Sequence, residues 1–95
     1  MIRIRWLRTA RKNLDAVTSY IAKDDPEAAQ KMYAHIRKSV ESLGENPEIG
    51  RTGRIFGTRE LVISGYPFIV PYRIRGKEVQ ILRVFHTSQQ LPEKW

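Results

Sequence analysis

The stretch RIFGTRELVISGYPFIVPYRIRGKEVQILRVFHTSQQ, residues 54–90, decides the fold. It contains three apolar runs, GTRELVI, PFIVPYRI and EVQILRVFH, separated by the turn signals Ser64-Gly65 and Gly76-Lys77. Short runs rich in Val, Ile and aromatic residues, bounded by glycine-containing turns, are typical of β-strands joined as hairpins. The pattern predicts a three-stranded antiparallel meander, and we expect the working surface of the protein to lie on it.

The register of the last hairpin is open at this stage. A two-residue turn at Gly76-Lys77 places Arg83 on the same face as Val70, which we expect to be buried. A loop of odd length reverses the faces and turns Arg83 outward. Burying an unpaired arginine is unfavourable, and Pro71 has no N–H to donate to a neighbouring strand. We therefore predict an odd-length loop or a bulge near Pro71, and a central position for the last strand, which is apolar on both faces.

The N-terminal half predicts a strand followed by two helices. Residues 1–6 alternate apolar and basic side chains, as in a half-buried strand near a sheet edge. Thr9 is the expected N-cap of the first helix, and Asp25 with Pro26 the expected start of the second. Gly44 is the expected C-cap of the second helix. The apolar faces follow helical spacing: Ala10, Leu14, Val17 and Ile21, then Ala29, Met32, Tyr33, Ile36, Val40 and Leu43.

The short link between these helices predicts an antiparallel helical hairpin. His35 is expected to be a solvated surface residue of the second helix. Residues 46–57 contain three glycines and a proline, which predicts a loop that crosses from the hairpin to the sheet. This loop lacks the spacing of a Walker phosphate loop.

Composition narrows the class of protein. The chain has 95 residues, enough for one domain spanning 1–95, and no cysteine, so no disulfide framework or cysteine-based zinc site is expected. Seventeen Lys and Arg against ten Asp and Glu give a formal charge of +7. Such an excess attracts anionic partners, such as nucleic acid, an acidic protein segment or an anionic membrane. No apolar run is long enough for a transmembrane helix, and we expect a cytoplasmic protein.

The meander also carries candidate functional side chains. We expect four of them on or near one sheet face: Arg59, Arg73, Arg83 and His86. Arginines there could hold phosphates or carboxylates by bidentate hydrogen bonds, and the histidine could exchange a proton near neutral pH. The alternative is that Arg59 and Arg83 only pair with acidic neighbours such as Glu60 and Glu78, while the histidine caps the strand end.

Further basic residues surround these strands. We expect a phosphate-binding or acidic-partner-binding rim formed by Arg51, Arg54, Arg73, Arg75 and Lys77. No Ser-His-Asp set, carboxylate pair of defined geometry or metal-ligand spacing can be read in the sequence, so we expect no metal and no cofactor.

Four segments carry a family resemblance: SLGENPEIGR, GTREL, IVPYRIRGKEVQILRV and RVFHTSQQLP. Their order and spacing resemble the RelE/ParE superfamily of toxins from type II toxin–antitoxin modules, over nearly the whole chain. The resemblance implies an α+β fold with an N-terminal strand, an antiparallel helical hairpin and a three-stranded antiparallel meander. It also implies a cognate antitoxin that wraps the toxin, in a hetero-oligomer without membrane contact.

Two target classes exist within this superfamily. RelE-like members cleave mRNA on the ribosome without a metal, and here Arg59 and Arg83 would hold the scissile phosphate while His86 acts as acid or base. ParE-like members instead poison DNA gyrase. Many RelE-like nucleases carry a tyrosine beyond the R-x-x-H ending, where this chain has Leu91 and Pro92. The helical pattern and C-terminus are more similar to ParE, so we expect a gyrase-directed toxin, with the ribosome-dependent endoribonuclease as the alternative.

Overall fold

The structure, a computed structural model, describes residues 1–89 and residue 95, and it is an α+β fold as expected. Leu91 and Pro92 lie outside the described residues. The elements follow in the order β1 (Arg3–Trp6), α1 (Arg8–Ala22), α2 (Pro26–Glu41), a 3₁₀ turn (Ser42–Gly44), β2 (Arg51–Thr52), β3 (Arg59–Val62), β4 (Phe68–Arg75), β5 (Glu78–Ile81) and β6 (Phe85–His86). Among the described residues, no helix is long and apolar enough to cross a membrane.

The strands form one mixed sheet in the order β1-β5-β4-β3-β2, with β6 pairing to β4 beside the end of β5. The meander β3-β4-β5 is antiparallel, whereas β1 runs parallel to β5. The predicted edge position of the first strand and the predicted central position of the last strand are both confirmed. The predicted crossover loop includes the two-residue strand β2, which pairs with β3.

The predicted N-cap at Thr9 is wrong. The N-cap is Leu7, which has no side-chain capping bond, and α1 begins at Arg8. Leu7 N–H donates to Ile81 O at 3.0 Å, and Leu7 O accepts from Arg11 N–H at 3.1 Å. Leu7 therefore makes the last hydrogen bond between β1 and β5 and also accepts the first hydrogen bond of α1. Thr9 consequently lies inside the first helical turn.

The predicted start of α2 is confirmed, and its predicted end is wrong. Asp25 is the N-cap, and its Oδ1 accepts from Ala28 N–H at 3.0 Å. Gly44 is not a left-handed cap, since positive φ values occur at Gly57, Gly65 and Gly76. Instead, Gly44 O accepts from Ile2 N–H at 2.8 Å. A Cβ on Gly44 would lie 3.2 Å from Met1 Cγ, so a glycine there lets the N-terminal chain approach closely.

The helical hairpin packs on one side of the sheet, which we call the helix face, and the core lies between them. The buried residues there include Leu14, Met32, Ile36, Val40, Val70, Tyr72, Val79 and Ile81.

His35 is less exposed than predicted. Its side chain is half-buried, and the centroid of its ring lies 5.4 Å from that of the Tyr66 ring. His35 Nε2 is buried and has no hydrogen-bond partner among the described residues.

A bulge resolves the register question. Arg75 pairs with Glu78, so the turn has two residues and the predicted odd-length loop is wrong. Tyr72 pairs with Ile81, but Ile69 pairs with Phe85. The chain from β5 to β6 therefore contains one residue more than the stretch of β4 that it faces. The predicted bulge near Pro71 is therefore confirmed, and Pro71 O accepts from Leu82 N–H at 2.9 Å. The extra residue returns Val84 to the core.

Candidate functional site

The sheet side opposite the helices, which we call the outer face, carries two rows of charged side chains. By register, Arg3, Glu78 and Arg75 form one row across β1, β5 and β4, and Arg5, Gln80 and Arg73 form the next. Polar contacts link them: Arg73 Nε donates to Gln80 Oε1 at 2.7 Å, and Gln80 Nε2 donates to Glu78 Oε1 at 2.8 Å. Arg5 NH1 lies 3.7 Å from Glu78 Oε1. Four arginines thus surround a single carboxylate.

A second cluster lies at the opposite edge of the sheet, around Glu60. The Glu60 side chain is 0% exposed, and Arg51 donates to its Oε1 at 3.1 and 3.2 Å. Arg54 N–H donates to Oε2 at 3.0 Å, and Arg54 Nε lies 3.5 Å from Oε1. A buried carboxylate is tolerated only when it is paired and hydrogen-bonded. Glu60 therefore fixes both predicted rim arginines, whose side chains stay 52% and 43% exposed.

Arg59 supports a loop instead of pairing with Glu60, so that predicted alternative is wrong for this residue. Its NH1 donates to the carbonyl oxygens of Glu48 at 3.2 Å and Gly50 at 2.9 Å. Tyr72 holds the same loop, since its hydroxyl donates to Pro47 O at 2.8 Å and accepts from Gly50 N–H at 2.9 Å.

Tyr72 is fully buried, and burial raises the pKa of its hydroxyl above the ordinary 10.0. The hydrogen bond from Gly50 and the charge of Arg59 lower this pKa in part, while Glu48 adds a smaller increase. A Cβ on Gly50 would lie 2.6 Å from the tyrosine ring, so the loop requires glycine at this point. Sequence reasoning missed this role of Tyr72 in the loop.

Arg83 and His86 also have local partners. Arg83 does not pair with Glu78, because its Nε and NH2 donate to Trp95 O at 3.3 and 2.9 Å. The Trp95 ring packs edge-on against Phe85, with centroids 5.0 Å apart. His86 Nδ1 accepts from Ser88 N–H at 3.1 Å and lies 2.7 Å from Ser88 Oγ, so its imidazole is fixed at the strand end.

Arg59, Arg73, Arg83 and His86 do not all lie on one face as predicted, although Arg59 and Arg73 line the same groove beside loop 53–58. Arg59 pairs with Tyr72 and His86 with Phe68, which places both on the helix face. Arg73 pairs with Gln80 on the outer face, because consecutive residues of a strand point to opposite sides. Arg59 and His86 are also separated along β4 by four residues, about 13 Å.

A shallow groove of about 540 Å³ lies between the loop 53–58 and the end of β4. Arg54, Phe56, Arg73 and Ile74 help to line it. Phe56 is fully exposed at the tip of this loop, beside Gly57, whose φ is +80°. Sequence reasoning missed Phe56, although an Ile-Phe pair within a glycine-rich loop was a visible signal. The predicted rim residues Arg75 and Lys77 are exposed at the far end of the β4–β5 hairpin.

The described part of the chain contains no group of three His, Cys, Asp or Glu side chains that could hold a metal ion. The features that remain are a basic outer face, an ion-paired loop with an exposed aromatic residue, and a helical hairpin over the opposite face. They define a small basic α+β protein suited to binding anionic or mixed surfaces.

Comparison with known proteins gives the family. The model of the ParE toxin of the type II toxin–antitoxin system parDE matches residues 4–91. The chain therefore belongs to the ParE toxin family, and it is a type II toxin of the RelE/ParE superfamily. Membership implies an antitoxin partner.

Individual relatives agree with this assignment. The chain is 50% identical to the putative toxin Y4kP of Sinorhizobium fredii, over 96% of this chain and 94% of that protein. It is 33% identical to toxin RelE2 of Caulobacter vibrioides, over 94% and 99% of the two chains.

Solved structures share the fold. A chain of the chromosomal ParDE system from P. aeruginosa has a TM-score of 0.84 and 34% identity, with 93% of this chain and 98% of that chain covered. A copper-bound mutant toxin from Helicobacter pylori has a TM-score of 0.61 and 16% identity, over 93% and 97% of the two chains, and shows likeness in fold alone.

Proposed function

We propose that this toxin acts on DNA gyrase and is neutralised by a cognate antitoxin. The choice of gyrase as the target is supported by one observation. The three residues that a ribosome-dependent nuclease would need, Arg59, Arg83 and His86, do not lie around a common point. Arg59 donates to loop carbonyls on the helix face, whereas Arg83 donates to Trp95 O. His86 lies about 13 Å from Arg59 along β4.

Phosphodiester cleavage needs its basic and acid–base groups around one reacting phosphate. A general acid or base must come within hydrogen-bond reach of the proton it moves, and charge-stabilising donors must lie about 3 Å from the developing charge. The guanidinium groups of Arg59 and Arg83 already donate to backbone carbonyls, so they do not point toward a common phosphate position. The arrangement supports a toxin that inhibits its target by binding, and under this proposal the protein acts in the cytoplasm.

The alternative is a metal-independent, ribosome-dependent endoribonuclease. The similarity to a protein named toxin RelE2 favours it, as does the separation of only three residues between Arg83 and His86. This alternative requires Arg83 to release Trp95 O and turn toward a bound phosphate.

The antitoxin is expected to match the basic charge of the toxin. The half-exposed guanidinium groups of Arg51 and Arg54 favour an acidic or amphipathic segment as the neutralising partner. The groove around Phe56 adds apolar area for such a segment. We therefore expect a hetero-oligomer of toxin and antitoxin.

The test compares two activities in matched variants. Purified wild-type toxin, Arg83→Ala and His86→Ala are assayed for inhibition of gyrase supercoiling and for cleavage of ribosome-bound mRNA. The proposal predicts inhibition of gyrase by all three proteins within about threefold, because neither side chain carries the activity. Cleavage of mRNA by the wild type that both substitutions abolish would establish the alternative.

A further inference from the structure

The outer face holds an arrangement of arginines that pairing among the described residues does not explain. Arg3 and Arg75 flank Glu78 in one row, and Arg5 and Arg73 flank Gln80 in the next. Strands lie about 4.8 Å apart and residues two apart on a strand lie about 6.7 Å apart, so the four Cα atoms outline a rectangle of roughly 10 by 7 Å.

Within the part of the chain that the structure describes, the charge of this rectangle is largely uncompensated. Glu78 is the one carboxylate in the two rows, and its Oε1 also accepts from Gln80. Arg5 reaches Glu78 only at 3.7 Å, with its side chain 62% exposed. Arg3 and Arg75 are exposed and form no ion pair among the described residues. Fixed strands with free guanidinium groups are suited to binding several phosphates at once.

From this arrangement we infer that the outer face binds the phosphate backbone of duplex DNA through Arg3, Arg5, Arg73 and Arg75. The choice of duplex DNA as the polyanion rests on the proposed gyrase function, because gyrase binds duplex DNA. Contact with both the enzyme and its DNA would strengthen the hold of the toxin on that complex.

The chemistry of the two rows favours a duplex over a single strand or a peptide. Proteins that bind single-stranded nucleic acid stack successive bases on several aromatic rings. The two rows contain none, and the groove that Arg73 lines offers the single ring of Phe56. A peptide bound on a sheet face would need apolar pockets for anchoring side chains, and the two rows are wholly polar. Arginine contacts to phosphates alone need neither feature.

The experiment measures binding of the antitoxin-free protein to a labelled duplex of about 20 base pairs at several salt concentrations. The double variant Arg3→Ala/Arg75→Ala removes two of the four arginines of the rectangle. The matched control Arg8→Ala/Arg11→Ala removes the same charge from exposed positions on α1. Thermal melting verifies that both variants are folded.

The expected wild-type slope of log affinity against log salt is about −3.6, for about four phosphate contacts. The sheet variant should bind about tenfold or more weakly and lose about half of that slope. The helix control should stay within about threefold of the wild type. Equal losses in both variants would overturn the inference, because they would reflect net charge alone.

Two competing probes complete the test. A single-stranded RNA of the same length and a polyglutamate peptide should each bind more weakly than the duplex, and tighter binding of either would overturn the inference. Gyrase inhibition by the wild type is measured in parallel. Inhibition without duplex binding would overturn this inference alone, and duplex-selective binding without inhibition would overturn only the proposed function.

Discussion

At the scale of single residues, buried polar groups fix the shape of the loops. The Tyr72 hydroxyl and the Arg59 guanidinium together bind backbone atoms of Pro47, Glu48 and Gly50. Leaving a buried donor or acceptor without its partner costs about 1–3 kcal/mol. The loop therefore depends on two side chains that are distant from it in sequence.

Tyr72→Phe should destabilise the protein by about 1–3 kcal/mol, since Gly50 N–H and Pro47 O both lose their partner. Urea unfolding measures the change. Tyr20→Phe is the matched control, because Tyr20 is 72% exposed and should change stability by less than about 0.5 kcal/mol. Equal effects of the two substitutions would contradict the assigned role of Tyr72.

The stabilising effect of the Tyr72 hydroxyl should depend on pH. Its pKa is raised above 10.0 in the folded protein, so the unfolded chain loses this proton at lower pH than the folded one. The contribution is complete below pH 10 and falls as the pH rises through the raised pKa. The difference in unfolding free energy between the wild type and Tyr72→Phe should shrink as the pH rises above 10.0. A difference that grows over this range would contradict the assignment.

At the scale of elements, Glu60 joins strand β3 to the loop that follows β2. Its carboxylate binds Arg51 on β2 and the backbone N–H of Arg54 in the loop. Phe56 projects from this loop into solvent. An exposed aromatic residue on an anchored loop is typical of a binding hot spot, because little further ordering is needed on association.

Glu60→Gln should loosen this loop. The amide keeps the shape of the side chain but loses the charge that holds two arginines, so we expect a loss of about 1–2 kcal/mol of stability. Amide hydrogen exchange should become faster at residues 51–58. Glu45→Gln, at an exposed position, is the control and should leave exchange unchanged. Unaltered exchange in Glu60→Gln would show that the loop does not depend on this carboxylate.

Phe56→Ala should separate folding from function. Because the ring is fully exposed, thermal stability should change by less than about 0.5 kcal/mol. Inhibition of gyrase should weaken by about tenfold or more if the ring inserts into the target. Tyr20→Ala, another exposed aromatic residue, is the comparison variant. Full inhibition by Phe56→Ala would exclude this ring from the target interface.

At the scale of the whole molecule, the sequence predicted the element order, the meander, the edge strand and the bulge. These follow from local periodicity, turn residues and the constraint that Pro71 places on a ladder. The site was predicted less well. The placement of all four basic residues on one face failed because it depends on pairing register. The roles of Glu60 and Tyr72 depend on partners brought close only by folding.

Trapping of gyrase on DNA by the purified toxin, measured with and without its antitoxin, is a direct test of the proposed target. We expect cleaved DNA to accumulate in the presence of gyrase and toxin, and excess antitoxin to prevent this. No effect on gyrase at micromolar toxin, together with cleavage of ribosome-bound mRNA, would contradict this expectation.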